Sequence, residues 1–181
     1  MEQIKILFFA LSSFFGIEDG RIAADITTVT IHPKVKQVEI IQERLFTVIQ
    51  SEKDTTLVLA QWDQLYNWKK RNISWDKELD SFPVKNLTFQ TIKDTIQPLV
   101  RLSYSTEKDL RVMGIWYNAE KNQYSMNYVP KHNVKTTDGT LVGNYWVFNG
   151  ERSFSFSIEP FLQLPEQYQK LKQPLHDLLK E

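Results

Sequence analysis

The chain has 181 residues, carries 22 basic and 22 acidic side chains, and contains no cysteine. The missing cysteines exclude disulfides and thiolate-based metal or redox sites. Hydrophobic residues make up 41% of the chain, which is enough for a packed core, and the balanced charge argues against nucleic acid as a partner.

The first 24 residues allow two interpretations. Residues 6–17 form an uncharged run behind Lys5, and about 7–15 apolar residues behind a basic residue are typical of a signal peptide. The run is shorter than the roughly 20 residues that a membrane-spanning helix needs, so we expect no transmembrane segment. Residues 1–24 are therefore predicted to be either a signal peptide of a periplasmic or secreted protein, or the first buried segment of a cytoplasmic one.

Residues 25–181 contain no repeat or flexible linker and are predicted to form one β-rich domain. Its first elements are short β-branched segments at 25–31, 35–41 and 44–50. Pro33 fixes the first turn between them, because proline cannot donate to a strand ladder.

Residues 54–70 change to a helical period. One face of this helix is apolar, and its expected members are Val58, Leu59, Trp62, Leu65 and Tyr66. Asp54 or a following threonine is the expected N-cap. We expect this face to cover a sheet.

After Pro83 the alternating β pattern returns. The predicted strands are 86–92, 99–105, 110–118, 123–129, 141–148 and 152–158. A C-terminal helix follows Pro165, and Pro174 should break or kink it because proline lacks the backbone N–H. The pattern predicts a mainly β (α+β) fold, an antiparallel sheet or barrel of about nine strands with both helices packed on it.

Asn149-Gly150 predicts a hairpin with a two-residue loop, since both positions of a type I′ turn need positive φ. This register pairs Tyr145 with Phe154. It also places Phe156 opposite Gly143, an aromatic ring over a strand glycine. The reverse face is more polar and contains Asn144, Ser153 and Ser155. Its two aromatic members are Phe148 and Trp146.

Residues 119–122 predict a second hairpin with a four-residue loop. One of its faces is apolar and is made by cross-strand pairs: Tyr117–Tyr124, Ile115–Met126 and Met113–Tyr128. The reverse face places Trp116 opposite Ser125. Register follows from loop length, so a shift of one residue exchanges the two faces.

Each predicted hairpin thus carries a tryptophan on its more polar face. Aromatic rings supply contact area in a binding site, and small polar side chains orient the ligand. We predict a binding surface or cavity made by five residues: Trp116, Trp146, Ser125, Asn144 and Ser153. The alternative is that a helix covers both tryptophans.

No local motif indicates catalysis, a metal or a cofactor. The three histidines lack metal-ligand spacing, and the six glycines form no phosphate-binding loop, so we expect no metal and no cofactor. An active site would combine residues from separate strands, and His132, Asp138 and Glu159 are the candidates.

We therefore expect a non-enzymatic binding domain for a small apolar or amphipathic ligand or for a partner protein. The alternatives are a hydrolase-like enzyme and a structural or interaction domain. The pattern leaves the oligomeric state open.

Overall fold

The structure, a computed structural model, describes residues 10–127 and 133–180. Within these residues eleven strands form two antiparallel sheets, and neither sheet is closed into a barrel. The prediction of a mainly antiparallel β fold is confirmed. Of the two architectures expected, the open sheet is the one that forms.

The strands follow one another with helical insertions after β2 and near the C-terminus. They are β1 (Ala23–His32), β2 (Gln37–Val48), β3 (Val84–Ile92), β4 (Thr95–Ser103), β5 (Ile115–Asn118), β6 (Gln123–Asn127), β7 (Asn133–Lys135), β8 (Gly139–Val142), β9 (Tyr145–Asn149), β10 (Phe154–Glu159) and β11 (Lys172–Pro174). The helices are α1 (Glu52–Tyr66), α2 (Glu166–Gln169) and α3 (Leu175–Leu179).

The larger sheet has seven strands in the order β3-β4-β2-β1-β10-β7, with β11 also paired to β2. The smaller sheet has four strands in the order β5-β6-β9-β8. The two sheets share one core, because Phe148 of β9 stacks on Phe154 of β10 with ring centroids 4.4 Å apart. Tyr124 of β6 also contacts Phe154, at 5.3 Å between ring centroids.

Residues 11–15 form a short 3₁₀ helix that belongs to this core. Leu11 and Phe14 are fully buried, and Phe15 stacks on Trp75 at 4.6 Å between ring centroids. Residues 1–9, which contain the first part of the predicted apolar run, lie outside the described residues. Export of the protein stays a prediction.

Strand β2 corrects the prediction of two strands at 35–41 and 44–50. It runs without interruption from Gln37 to Val48, and the predicted break survives only as a local feature at Arg44, whose φ is +53°. Positive φ is uncommon for a residue other than glycine and is costly within a strand. The change in pattern near Arg44 therefore marks a bend within one strand.

Two other predicted strands are also wrong in part. Residues 107–113 form a 3₁₀ helix, because Thr106 and Asp109 make a capping box that starts helical turns. Residues 141–148 are divided between β8 and β9 by a turn at Gly143-Asn144. Gly143 has a φ of +59°, which glycine adopts without a Cβ clash.

Helix α1 confirms the predicted helix and corrects both of its ends, because it begins at Glu52 and ends at Tyr66, whereas residues 54–70 were expected. The N-cap is Ser51, and Asp54 is the third residue of the helix, where its carboxylate accepts a hydrogen bond from the Ser51 backbone N–H at 3.0 Å. Val58, Trp62 and Leu65 are buried as predicted, whereas Leu59 and Tyr66 are exposed. The core-facing stripe is thus narrower than the sequence pattern.

The predicted C-terminal helix is confirmed only in part: helix α2 ends at Gln169, a strand rather than a helix precedes Pro174, and a new helix begins after this proline. Strand β11 ends at this proline and helix α3 begins at Leu175. Leu175 and Leu178 are buried, so α3 closes one side of the core.

The predicted hairpin at Asn149-Gly150 is wrong. Strand β9 pairs with β6 and β8, whereas β10 pairs with β1 and β7, so this loop connects the two sheets. Neither loop residue has positive φ, and the Gly150 N–H instead donates to the Asn122 carbonyl at 2.9 Å. The glycine beneath an aromatic ring is Gly139, which pairs with Phe148.

The predicted hairpin around residues 119–122 is confirmed. Its register gives Tyr117 opposite Tyr124, Ile115 opposite Met126 and Trp116 opposite Ser125. The predicted partner of Met113 is Tyr128, which lies outside the described residues, and Met113 itself is in the 3₁₀ helix.

Candidate functional site

A gap along one edge of β2 creates a concave, mostly apolar feature of the described structure. Phe46 pairs with Ala23 of β1 on one side and with Pro174 of β11 on the other, so β11 lies on the same edge of β2 as β4. Strand β4 pairs with residues 37–41, and β11 pairs with residues 46–48. Among the described strand pairs, residues 42–45 have no partner on this edge.

A cavity of about 410 Å³ occupies this gap, and we call it the β2-edge pocket. Its apolar walls come from β2, the start of β4, β11 and α3, and β1 and α2 each contribute one polar residue. The lining is Asp25, Arg44, Leu45, Phe46, Thr95, Ile96, Gln169, Lys172, Pro174, Leu175, His176 and Leu179. Ligand cavities have volumes of about 300–1,000 Å³ and are mostly apolar with a few polar groups. The β2-edge pocket matches both properties.

Three charged side chains converge on the pocket from separate elements. Lys172 Nζ donates to Asp25 Oδ1 at 2.6 Å. Arg44 Nε lies 4.0 Å from Asp25 Oδ2, which is beyond hydrogen-bond distance. Asp25 and Lys172 are largely shielded, with side-chain exposures of 22% and 30%, whereas Arg44 is 64% exposed.

Phe46 provides an aromatic wall beneath these charges. The Lys172 ammonium lies 4.2 Å from the centroid of the Phe46 ring, within the range of a cation–π interaction. Phe161 packs edge-on against the same ring at 5.3 Å between centroids. Both contacts hold the ring in its position in the pocket wall.

The unpaired part of β2 has one unusual backbone conformation and one unusual side-chain environment. Arg44 has its left-handed φ here, and such strain concentrates at functional sites. Gln42 is 1% exposed, and neither of its side-chain amide atoms has a hydrogen-bond partner among the described residues. An unpaired buried amide costs about 1–3 kcal/mol, so this part of the strand is not optimised for stability.

The sequence pattern did not identify the pocket, although two signals pointed to its residues. The pattern breaks between residues 41 and 44, and Pro174 ends the strand on the other side of the gap. Each signal was interpreted locally, as a turn and as a helix break. The pocket arises from long-range pairing that these local signals do not contain.

The predicted tryptophan face is not formed as one surface. Trp116 and Ser125 are cross-strand partners, and Ser125 pairs on its other side with Val147. Trp146 pairs with Met126, so it lies on the opposite, core-directed face of the sheet. The prediction was wrong because it paired β9 with β10 in a hairpin at Asn149-Gly150. That pairing assigned the core-directed and outer faces of β9 the wrong way round.

The remaining predicted residues are also apart. Asn144 is exposed in the turn between β8 and β9. Ser153 is exposed just before β10, and its hydroxyl forms a 2.8 Å hydrogen bond with His32 Nδ1. Neither side chain adjoins Trp116, so of the five predicted residues only Trp116 and Ser125 come together.

Trp116 and Ser125 line a second, shallower cavity of about 300 Å³ with Asn127 and Tyr145. The Arg111 guanidinium lies 4.8 Å from the Trp116 ring centroid. Arg111 belongs to the 3₁₀ helix at residues 107–113, so this short helix contacts the half-buried tryptophan ring. The ligand-binding role of Trp116 and Ser125 stays a prediction.

The carboxylates considered for catalysis each bind a different partner and do not form a common site. Asp138 Oδ2 accepts a hydrogen bond from the Ser155 backbone N–H at 2.8 Å. The Glu159 carboxylate accepts from Lys135 Nζ at 3.0 and 3.1 Å. His132 lies outside the described residues. Asp138 and Glu159 thus hold neighbouring strands together.

Within residues 10–127 and 133–180, no group of three His, Asp or Glu side chains is arranged to hold a metal ion. None of the helices in the described part of the chain combines the length and the apolar character needed to cross a membrane. Comparisons of this chain with protein-family models, with curated proteins and with solved structures gave no match.

Proposed function

We propose that this chain is a binding domain for a small, partly apolar ligand and that the β2-edge pocket is its binding site. The observation that carries the proposal is the pocket itself, an apolar cavity of about 410 Å³ with a few convergent charged groups. Two other cavities are larger, at about 640 and 520 Å³, but their linings are more polar. The proposed function, ligand binding, is the one expected from the sequence. The proposed site is the β2-edge pocket and no longer the tryptophan face.

The shape of the pocket supports a small molecule over a partner chain. Its apolar walls are drawn from four elements around a gap in a sheet edge, where Ile96 and Leu175 face the same space. A concave site of this kind buries most of the surface of a small ligand. Partner proteins more often use broad surfaces of about 800 Å² on each partner.

Fluorescence titration with the neutral probe 1-aminoanthracene tests the proposal. Replacing Ile96 by tryptophan fills the pocket, and Ile92→Trp is the matched control because Ile92 is on the same hairpin but 43% exposed and outside the lining. We expect saturable binding to the wild type and to Ile92→Trp, with affinity about tenfold or more lower for Ile96→Trp.

Two outcomes contradict this proposal. Wild-type protein that shows no saturable fluorescence change has no such site for a small apolar molecule. Equal affinities of the Ile96→Trp and wild-type proteins place the probe outside the β2-edge pocket. Circular dichroism of each variant confirms that the fold is retained before the affinities are compared.

A further inference from the structure

We propose that the ligand of the β2-edge pocket carries a carboxylate and that Arg44 recognises it. This inference rests on the proposed function, because it names the chemical class of the ligand for the same site. The ligand is then a small amphipathic acid, with an apolar body against the pocket walls and its carboxylate at the guanidinium.

The charges around the pocket are unbalanced. Its lining contains the cations Arg44 and Lys172 but only one carboxylate, that of Asp25. The remaining titratable group, His176, lies 2.9 Å from Asp177 through Nε2. Among the lysine, arginine and carboxylate side chains of the lining, one positive charge therefore has no counter-charge there. A ligand with a single negative charge restores the balance.

The distances identify which cation is available. Lys172 is held by Asp25 at 2.6 Å and by the Phe46 ring at 4.2 Å. Arg44 has only the 4.0 Å approach to Asp25, and it makes no hydrogen bond among the described residues. Its guanidinium is therefore the cation whose donors are free for a ligand.

The chemistry of arginine selects the head group. A guanidinium presents planar, paired N–H donors that match the two oxygens of a carboxylate, and charge-assisted hydrogen bonds are roughly twice as strong as neutral ones. Residue 44, with its left-handed backbone, lies in the part of β2 that has no described strand partner on the β4 and β11 edge. The strained residue and the free cation are thus the same residue.

The walls determine the rest of the ligand. Leu45, Ile96, Leu175 and Leu179 offer aliphatic surface, and Phe46 offers an aromatic face. Burial of apolar surface contributes about 25 cal/mol per Å², so a hydrocarbon body adds affinity that a bare carboxylate lacks. An alkyl or aryl-alkyl carboxylate therefore fits better than acetate.

Isothermal titration calorimetry with octanoate, octan-1-ol and octylamine separates the head group from the body. The three probes share one alkyl chain and differ in charge. We expect octanoate to bind about tenfold tighter than octan-1-ol and octylamine to bind weakest, since it places a second cation beside Arg44. Equal or tighter binding of octan-1-ol overturns the carboxylate proposal while leaving the proposed function in place.

The variant Arg44→Asn assigns the effect to one residue, because asparagine tolerates positive φ. We expect it to remove the advantage of octanoate over octan-1-ol. Lys170→Asn is the control, since Lys170 pairs with Glu166 and lies outside the pocket lining. Arg44→Lys keeps the charge and should retain part of the preference.

Two results with these proteins overturn the assignment. One is an octanoate preference that persists in Arg44→Asn. The other is an equal loss in Lys170→Asn, which indicates a general charge effect. Failure of all three probes to bind the wild type overturns the proposed function together with this inference.

Discussion

Lys172 Nζ lies 2.6 Å from Asp25 Oδ1, although 147 residues separate the two in the chain. The contact joins β11, close to the C-terminus, to β1 in the first part of the fold. The same ammonium lies over the Phe46 ring, so it also forms part of the β2-edge pocket. This ion pair thus stabilises the fold, and it also holds β11 at the border of the gap along the β2 edge.

A double-mutant cycle on Asp25 and Lys172 should show coupling. Both side chains are mostly shielded from solvent, so their attraction is screened less than that of an exposed pair. We expect Asp25→Asn and Lys172→Met to lose a shared coupling energy of about 1 kcal/mol in urea unfolding.

The exposed pair of Glu166 and Lys170 is the internal comparison for this cycle. Its side chains are 80% and 72% exposed. Coupling there should be smaller, at most about 0.5 kcal/mol. A coupling for Asp25 and Lys172 no larger than this shows that their partly buried contact does not hold β11 in place.

Gln42 should be a position where substitution stabilises the protein. Its amide is buried without a hydrogen-bond partner among the described residues. Methionine has a similar length and no such polar groups, so Gln42→Met should raise the free energy of unfolding by about 1–3 kcal/mol. Gln123→Met, at an exposed strand position, should change it little. A lower stability of Gln42→Met in urea unfolding contradicts this expectation.

The local features of the fold follow from the sequence. Val58, Trp62 and Leu65 repeat at helical spacing, so their burial was predictable from the period alone. The hairpin that pairs Trp116 with Ser125 was predictable because its loop fixes its register. In both cases the residues that make contact are close in the chain.

The long-range features do not follow in this way. Asn149-Gly150 has the composition of a tight turn, yet its flanking strands enter different sheets. Tertiary pairing outweighed the turn preference. As a consequence, Trp146 lies on the opposite face of its strand from the one predicted. The β2-edge pocket depends on which distant strands pair with β2, and no local pattern specifies that choice.

Asp54 should make the stability of the protein dependent on acid pH. Its carboxylate accepts hydrogen bonds from the backbone N–H groups of Gln50 and Ser51, and these hold the pKa of Asp54 below its ordinary value of 3.8. Because the folded-state pKa is the lower one, the stabilisation is present above the unfolded pKa and is lost as pH falls through the folded pKa.

The variant Asp54→Asn tests this dependence. Wild type should be more stable than the variant at neutral pH, and the difference should shrink below about pH 4. Urea unfolding across this range measures it. A difference that is the same at neutral and acid pH excludes the carboxylate as its source.

Gly139 should resist substitution because Phe148 lies against it. A Cβ atom at residue 139 would come within 2.6 Å of the Phe148 ring, and that ring is fixed by stacking on Phe154. Gly139→Ala should therefore destabilise the protein by about 1–3 kcal/mol in urea unfolding. In a Phe148→Leu background the cost should fall, and an unchanged cost there excludes the ring as the cause.

Methyl-resolved NMR titration with octanoate tests the central claim of a ligand pocket at the β2 edge most directly. The account predicts saturable shifts for the methyl groups of Leu45, Ile96, Leu175 and Leu179, with those of Val142 and Val147 on the smaller sheet unchanged. Saturable shifts confined to these two valines, or no saturable shift in any of these methyl groups, would contradict it.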